Sequence, residues 1–227
     1  MTITLITGAN RGIGYETARQ LRERGHEVYL GARDIDRGRR AAETIGARFV
    51  ELDVTDDASV AGAVATIEAT EGRLDVLVNN AGVLDLGDVD GPRALRSFDI
   101  NAVGLIRVTE AALPLLRRSE RPTVVNVTSS MGSFWAVTNP ERVEHGLPNA
   151  LYAASKAAAN MLTVQYAKAH PGVGFTAIEP GFTDTEMTAS LGGGRPAAES
   201  AAVIVGLATR ERGPSGTFHD ERGLLAW

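Results

Sequence analysis

The sequence contains no cysteine among its 227 residues. Disulfide bonds, thiolate metal ligands and cysteine nucleophiles are therefore excluded together. The four histidines are not spaced as a pair on one helix face, so we predict no metal site. The start of the chain lacks the features of a secretion signal, and no apolar run is long enough to cross a bilayer. These absences predict a soluble, cytoplasmic protein.

An excess of charge of one sign is also missing. The formal net charge is −5, and acidic and basic residues are interspersed along the chain. Such a pattern offers no positive surface to nucleic acid or to an anionic membrane. We therefore expect a small-molecule partner, with no nucleic acid and no membrane.

The chain does contain short apolar or β-branched runs that alternate with longer segments of helical periodicity. The runs are too continuously apolar for half-exposed antiparallel strands, and the alternation is typical of βαβ units. The predicted strands are 2–7, 26–32, 47–52, 74–79, 123–128, 174–178 and a weaker 216–219. The predicted helices are 12–24, 36–45, 57–71, 93–118, 149–169 and 196–208.

This order of elements predicts an α/β fold in a single domain. We expect a Rossmann-type, doubly wound parallel sheet of about seven strands, with helices on both faces. No repeat and no long linker divides residues 1–227. Two segments, 130–148 and 182–195, interrupt the rhythm after strand ends, where open parallel sheets bind ligands.

A glycine-rich turn, T-G-A-N-R-G-I-G, lies between the first predicted strand and helix. Gly8 would allow a tight exit from the strand, Gly12 would admit a pyrophosphate close to the backbone, and Gly14 would let the helix approach the sheet. The positive end of that helix would face the phosphates. The turn therefore predicts a dinucleotide site, although isolated glycine patterns also occur in ordinary βα turns.

The spacing of these glycines, Gly-x-x-x-Gly-x-Gly, resembles that of the short-chain dehydrogenase/reductase family. Further matches to that family follow in order along almost the whole chain. They are N-N-A-G at 79–82, Asn101, Ser129, Tyr152 with Lys156 in Y-x-x-x-K, and Pro180 with Gly181. The resemblance implies one NAD(P)-binding oxidoreductase domain over 1–227, with 130–148 as an inserted loop and 182–195 as a substrate loop.

The charge after the second strand bears on the choice of cofactor. An acidic residue there accepts a hydrogen bond from a ribose 2′-hydroxyl, whereas a 2′-phosphate needs cations. Arg33 stands at that position, and Arg11 lies in the glycine turn. Two guanidinium groups can bind a phosphate by forked, charge-assisted hydrogen bonds, which favours NADP(H). If Asp34 faces the ribose instead of Arg33, NAD(H) would bind. We interpret the nearby Arg37, Arg39 and Arg40 as solvated surface residues.

The resemblance also implies further contacts with the cofactor. Asp53 is similar to the residue that meets adenine, and Thr183 and Thr185 to those that meet the nicotinamide carboxamide and the phosphates. Both threonines are equally suited to capping and turn formation. The full predicted set is Gly8, Asn10, Arg11, Gly12, Ile13, Gly14, Arg33, Asp53, Val54, Asn80, Ala81, Gly82, Tyr152, Lys156, Pro180, Gly181, Thr183 and Thr185.

Tyr152 and Lys156 are four residues apart in an alanine-rich segment, so they should share one helix face. A nearby cation stabilises a phenolate, and we expect Lys156 to lower the pKa of Tyr152 with help from an oxidised nicotinamide. The catalytic set is predicted as Asn101, Ser129, Tyr152 and Lys156. Ser129 would hold the substrate oxygen and Tyr152 would donate the proton; the resemblance implies that Lys156 also holds the ribose and that Asn101 positions a water.

The interval from Ser129 to Tyr152, 23 positions, is longer than in many members of the family. Carbonyl reductases of the family carry a similar extension and tail, so a carbonyl-reductase-like member is favoured. Phe134, Trp135, Phe182 and Met187 are candidate walls of an apolar substrate pocket, or ordinary core residues. The extension would lie near helices that commonly pair in family dimers, which slightly favours a monomer over a homodimer.

These observations favour an NADPH-dependent reductase of a small aldehyde, ketone or quinone. One alternative is an NAD(P)-dependent dehydrogenase of a secondary alcohol, a hydroxysteroid or a polyketide-type substrate. Another is a regulatory protein that binds NADP without turnover. The presence of a proton donor at Tyr152 argues against the regulatory protein.

Overall fold

The computed structural model describes residues 1–211 and 213–227. All strands of this part of the chain join one sheet in the order β3-β2-β1-β4-β5-β6-β7-β8. They are β1 Ile3–Thr7, β2 Glu27–Ala32, β3 Arg48–Glu51, β4 Val76–Asn79, β5 Thr123–Val127, β6 Gly174–Ile178, β7 Thr217–Asp220 and β8 Gly223–Leu224. The first seven strands pair in parallel, which confirms the predicted doubly wound sheet.

The eighth strand was not predicted. It has two residues and pairs antiparallel with β7, with Leu224 opposite His219 and Gly223 opposite Asp220. Two residues are too few to show a periodicity of two, and this pairing depends on the turn between β7 and β8. The prediction of about seven strands therefore applies to the parallel part of the sheet.

Helices cover both faces of the sheet, as predicted. They are α1 Gly12–Glu23, α2 Ile35–Ile45, α3 Asp57–Glu71, α4 Gly91–Phe98, α5 Gly104–Leu116, α6 Phe134–Thr138, α7 Ala150–Ala169 and α8 Ala197–Thr209. Successive strand side chains point to opposite faces. In β1, Leu5 joins the core under α3, α5 and α7, whereas Ile6 joins the core under α1, α2 and α8.

The single helix predicted over 93–118 is divided in the structure. A π-helical turn, Asp99–Val103, separates α4 from α5. Such a turn adds one residue to the helical repeat and is often found at functional sites. Here it carries Asn101 into the interior, where the side chain is 3% exposed.

The sheet reverses its strand order between β1 and β4. In sheets of this kind, ligands bind beyond the carboxyl ends of the strands at such a switch point. The glycine turn follows β1, and the N-N-A-G segment ends β4. Within the described residues, no helix combines the length and apolar character that a membrane span requires.

Candidate active site

The backbone of the glycine turn after β1 disfavours a side chain at each of its three glycines. Gly8 and Gly12 have φ angles of 63° and 58°, which disfavour any residue with a Cβ. A Cβ on Gly14 would lie 2.4 Å from Asn80 Nδ2 and 2.7 Å from the Gly8 carbonyl oxygen. All three glycines are therefore required by the backbone of this turn.

Hydrogen bonds fix the glycine turn to the end of β4. Asn80 Nδ2 donates to the carbonyl oxygens of Thr7, at 2.9 Å, and Gly8, at 3.1 Å. Thr7 Oγ1 in turn accepts the backbone N–H groups of Asn80 and Ala81, each at 3.0 Å. The sequence analysis gave Thr7 no role of its own. Its position directly before Gly8 is a signal from which this role could have been predicted.

The start of α1 is suited to an anion. In the described structure no side chain caps this helix at Arg11, and its first turn contains no acidic residue. The free N–H groups and the helix dipole then face the space above the glycine turn. A dinucleotide pyrophosphate fits this backbone cradle.

Arginine side chains surround an open groove of about 460 Å³ beside the cradle. Arg11, Arg37 and Arg40 line it together with Tyr15 and Glu186. Arg37 and Arg40 are exposed, as predicted for solvated surface residues, and both also line this groove. Arg11 itself forms an ion pair with Glu186 of the 182–195 segment.

Asp34 would favour NAD(H) if its carboxylate faced the ribose. In the structure this carboxylate binds the start of α2. Its carboxylate accepts the backbone N–H of Arg37 at 3.0 Å and pairs with the Arg37 guanidinium at 3.4 Å. It thus caps the helix, as acidic residues at this position commonly do. Arg33 is exposed at the end of β2, close enough to Asp53 to help hold the pKa of that carboxyl below its ordinary value.

Asp53 and Val54 follow β3. Burial acts to raise the pKa of Asp53, but hydrogen bonds from the Thr55 N–H and hydroxyl, together with the charges of Arg33 and Arg107, outweigh burial and lower the pKa. The Val54 side chain lies in the core beneath Gly104, where an added Cβ would come within 2.9 Å of it. Contact of Asp53 with adenine, and of Val54 with the cofactor, stays a prediction.

Tyr152 and Lys156 lie one turn apart on α7, as the spacing predicts. Asn149 caps the helix by accepting the Tyr152 N–H at 3.2 Å. Lys156 is 5% exposed, its Nζ donates to the Val127 carbonyl oxygen at 3.0 Å, and it lies 5.7 Å from the centre of the Tyr152 ring. The ammonium group is therefore anchored at the end of β5.

Ser129 lies beside this pair. It begins a 3₁₀ turn, Ser130–Gly132, and its Oγ accepts the Met131 N–H at 3.2 Å. A Cβ on Gly132 would lie 2.5 Å from the carbonyl carbon of Lys156, so the turn rests directly on the backbone of α7. Hydrogen bonding with the Ser129 hydroxyl acts to lower the pKa of the Tyr152 phenol.

Asn101 is the fourth member of the predicted catalytic set. Its Oδ1 accepts the Val83 N–H at 2.8 Å, and its Nδ2 donates to the Val83 carbonyl oxygen and to Ser155 Oγ, both at 2.9 Å. A Cβ on Gly82 would lie 3.2 Å from Asn101 Oδ1 and 3.4 Å from Lys156 Nζ. The four predicted catalytic residues therefore come together at one edge of the sheet. The bonds of Asn101 to Val83 and Ser155 could not be read from the sequence.

The electrostatics of the polypeptide differ from the expectation for Tyr152. Burial raises its pKa, the charge of Glu179 adds to this effect, and the hydrogen bond with Ser129 opposes it. Burial lowers the pKa of Lys156 to about 8, and Glu179 opposes that shift. The expected lowering of the phenol pKa by the ammonium group is therefore not found in the polypeptide alone, because both groups are desolvated.

The 182–195 segment closes against the glycine turn. Thr183 is buried, donates to the Gly181 carbonyl oxygen at 2.8 Å and lies 2.5 Å from Ser200 Oγ. Thr185 is close to the glycine turn, where a Cβ on Gly12 would lie 3.4 Å from its methyl group. Thr183 therefore bonds within the segment that follows β6, and Thr185 borders the cradle; contact of either residue with the cofactor stays a prediction.

The predicted walls of the substrate pocket are more exposed than a closed pocket would make them. Phe134 is 75% exposed, Phe182 52%, Met187 46% and Trp135 42%. The 130–148 segment is not a plain loop, because it contains α6 and the 3₁₀ turn Val143–Gly146. The role of these four side chains toward a substrate stays a prediction.

Glu179 is a site residue that the sequence analysis missed. Its carboxylate accepts the backbone N–H groups of Ser130 and, at 2.8 Å, Gly181. The signal was an acidic residue at the end of an apolar strand, directly before Pro180 and Gly181. A charge at the carboxyl end of a parallel strand lies where ligands bind.

Comparison with known proteins identifies the family. The chain matches the short chain dehydrogenase family over residues 2–195. It is 37% identical to a short-chain dehydrogenase/reductase of Aspergillus fumigatus, over 93% of this chain and 89% of that protein. It is 32% identical to salutaridine reductase of Papaver bracteatum, over 100% of this chain and 96% of that enzyme.

A solved structure supports the same relationship. The NADPH-bound carbonyl reductase from chicken fatty liver superposes with a TM-score of 0.87 at 25% identity, covering 100% of both chains. The residues matched by the family include the glycine turn, the N-N-A-G segment and the Y-x-x-x-K pair described above. The chain belongs to the short-chain dehydrogenase/reductase family of oxidoreductases.

Proposed function

We propose that this protein is an NADPH-dependent reductase of small carbonyl compounds, with Tyr152 as the proton donor. One observation carries the proposal: Ser129, Tyr152 and Lys156 converge at the carboxyl end of β5, where Gly82 of the N-N-A-G segment lies close to Lys156. The bound nicotinamide would supply the hydride. The residues of the chain would orient the carbonyl group and supply the proton.

The state of Tyr152 suits reduction. Because burial and Glu179 raise its pKa, the phenol keeps its proton at neutral pH. A protonated phenol near the substrate oxygen can donate as negative charge develops there, so the oxygen never carries a full charge. Ser129 would hold the same oxygen by a hydrogen bond. The reverse reaction, alcohol oxidation, needs the phenolate and is less favoured by this environment.

Lys156 and Asn101 would prepare the site for this transfer. The ammonium group would hold the ribose hydroxyls and replace the proton that Tyr152 gives up. Gly82 lies between Asn101 Oδ1 and Lys156 Nζ, and having no side chain it leaves the space between them open. A water in this space would connect Lys156 to solvent. The role that we assign to Asn101 is to position that water.

The choice of NADP(H) is supported by charge. Arg11, Arg37 and Arg40 line the groove beside the cradle, and Arg33 is exposed at the end of β2. Asp34, the residue that would favour NAD(H), is engaged as the cap of α2. Guanidinium groups can bind a 2′-phosphate by forked hydrogen bonds. The related chicken enzyme was solved with NADPH.

The substitution Tyr152→Phe tests the proton donor. We expect it to retain NADPH binding, followed by cofactor fluorescence, and to lower kcat for carbonyl reduction by about 10²-fold or more, followed at the NADPH absorbance band. Tyr166→Phe is the matched control, since Tyr166 lies on the same helix and donates to Glu110 at 2.8 Å, away from the site. Turnover that survives in the Tyr152 variant would remove this residue from the mechanism.

The substitution Arg33→Asp tests the cofactor assignment. The new carboxylate would repel a 2′-phosphate, so we expect the preference for NADPH over NADH, measured as the ratio of kcat/KM values, to fall by about tenfold or more. Arg39→Asp is the control, because it makes the same change of net charge at an exposed residue of α2. A wild-type protein that prefers NADH, or an equal effect of both substitutions, would contradict the assignment.

A further inference from the structure

We propose that Glu179 is a positioning residue of this active site, whose carboxylate joins the turn after β5 to the turn after β6 and holds a negative charge beside Tyr152 and Lys156. The inference rests on the proposed function, in that these two residues are the ones proposed to move the proton. It concerns the protonation state in which the site is held before reduction begins.

Glu179 is fixed at both its backbone and its side chain. Its backbone N–H donates to the His219 carbonyl oxygen at 2.8 Å, which extends the pairing of β6 with β7. One carboxylate oxygen accepts the Gly181 N–H at 2.8 Å, and the other accepts the Ser130 N–H. Ser130 directly follows Ser129, so the carboxylate ties the serine turn to the Pro180–Gly181 turn. A side chain held by charge-assisted bonds to two backbone N–H groups keeps its charge in one place.

Two charged groups of the 130–148 segment lie near this carboxylate. Arg142 feels the charge of Glu179, but its guanidinium forms two hydrogen bonds with Glu144, at 2.8 and 3.1 Å. Glu144 is buried and also interacts with the Ser130 hydroxyl. The positive charge of Arg142 is thus matched by Glu144.

The other charged groups near Glu179 lie on the strand and loop beside it. Arg195 donates to the Pro180 carbonyl oxygen and pairs with Glu221, and Asp220 of β7 acts on Arg142. The positive charge of Arg195 is therefore matched as well. This leaves Glu179 to act on the two groups of α7.

The charge of Glu179 shifts two groups of α7, the Tyr152 phenol and the Lys156 amine, toward their protonated forms. Burial lowers the pKa of Lys156 to about 8, and Glu179 keeps it from falling further. Burial raises the pKa of Tyr152, and the charge of Glu179 raises this pKa further. A protonated phenol and a protonated ammonium group are the states that reduction requires. Glu179 therefore favours carbonyl reduction over alcohol oxidation.

The composition of the chain allows a direct test without any substrate. The sequence contains only two lysines, Lys156 and Lys168. In protein labelled with ¹³C-lysine, the two ε-methylene signals can be followed by NMR as the pH is raised, and the exposed Lys168 supplies the reference signal. Lys156→Arg assigns the signals by removing one of them.

Two variants are compared with the wild type. Glu179→Gln removes the negative charge at nearly constant shape, and Glu179→Asp keeps the charge but moves it away from α7 by one methylene group. We expect the titration midpoint of Lys156 to fall by at least about half a pH unit in the glutamine variant and by less in the aspartate variant. Glu110→Gln is the control, because it removes the charge of a carboxylate that contacts the same helix at Tyr166, away from Lys156. It should leave the Lys156 midpoint unchanged.

Unchanged Lys156 titration in Glu179→Gln, or an equal shift in Glu110→Gln, would overturn the proposal. If the glutamine variant does not fold, an Lys156 midpoint in Glu179→Asp identical to that of the wild type would overturn it as well. Kinetics give a second readout: the loss of reductase kcat at alkaline pH should move to lower pH in Glu179→Gln. A wild-type protein that reduces no carbonyl compound would refute the proposed function, while the lysine titration would still decide the role of Glu179.

Discussion

Lys156 illustrates, at the scale of one residue, how a site group can reduce stability. Its pKa in the folded chain is about 8, below the ordinary value of 10.5, because the ammonium group is buried. Between these two values the unfolded chain binds more protons than the folded chain, so the contribution of this residue to stability increases as the pH rises through that window. Below it, the buried ammonium group opposes folding.

We therefore expect Lys156→Met to abolish turnover and to increase the free energy of unfolding at about pH 7, by up to about 3 kcal/mol, reduced by the lost hydrogen bond to Val127. The difference between variant and wild type should shrink toward about pH 10, where the lysine is neutral in the folded chain. Urea unfolding at both pH values measures this effect. A stability difference independent of pH would show that burial does not penalise the ammonium form.

At the scale of single elements, the sequence predicted the long helices but neither the short helix α6 nor the place where a helix changes its repeat. The segment 93–118 has helical periodicity throughout, and the π-helical turn that holds Asn101 lies within it. The turn is supported by the bonds of Asn101 to Val83 and Ser155, which are 18 and 54 positions away. Periodicity carries no information on such distant partners. Asn101 could therefore be identified from the sequence, whereas the π-helical turn that holds it could not.

The 130–148 segment is likewise held by distant partners, at the end of the described chain. Ser133 Oγ donates to the Ala226 carbonyl oxygen at 2.8 Å, and the Trp135 N–H donates to that of Trp227 at 3.0 Å. The Trp227 ring stacks on Phe218 with 5.2 Å between ring centres. These contacts attach α6 to the sheet.

Trp227→Ala should therefore loosen α6. We expect a loss of about 1–2 kcal/mol of unfolding free energy and faster amide hydrogen exchange over residues 134–138. Leu224→Ala is the control, since this nearby side chain is 74% exposed. Exchange in α6 that is the same in both variants would mean that the tail does not hold this segment.

At the scale of the whole molecule, the sequence predicted the layers and the site better than the electrostatics. Continuous apolar strands such as β1 and β4 require cover on both faces, and this explains why the doubly wound sheet could be predicted. The ordered motifs then brought Ser129, Tyr152 and Lys156 to one edge of the sheet. The contacts of Glu179 and the direction of the shift in the Tyr152 pKa could not be predicted, because both depend on how the 130–148 segment and the Gly181 turn close around the site.

The central claim is that hydride and proton meet at a carbonyl group beside Tyr152. The most direct measurement supplies NADPH carrying deuterium at both positions of nicotinamide C4 to the wild-type protein and to Tyr152→Phe, with a panel of aldehydes and ketones, and analyses the products by mass spectrometry. The account predicts a reduced product containing one deuterium with the wild type and almost none with the variant. NADPH binding without deuterium in any product, or equal transfer by both proteins, would contradict it.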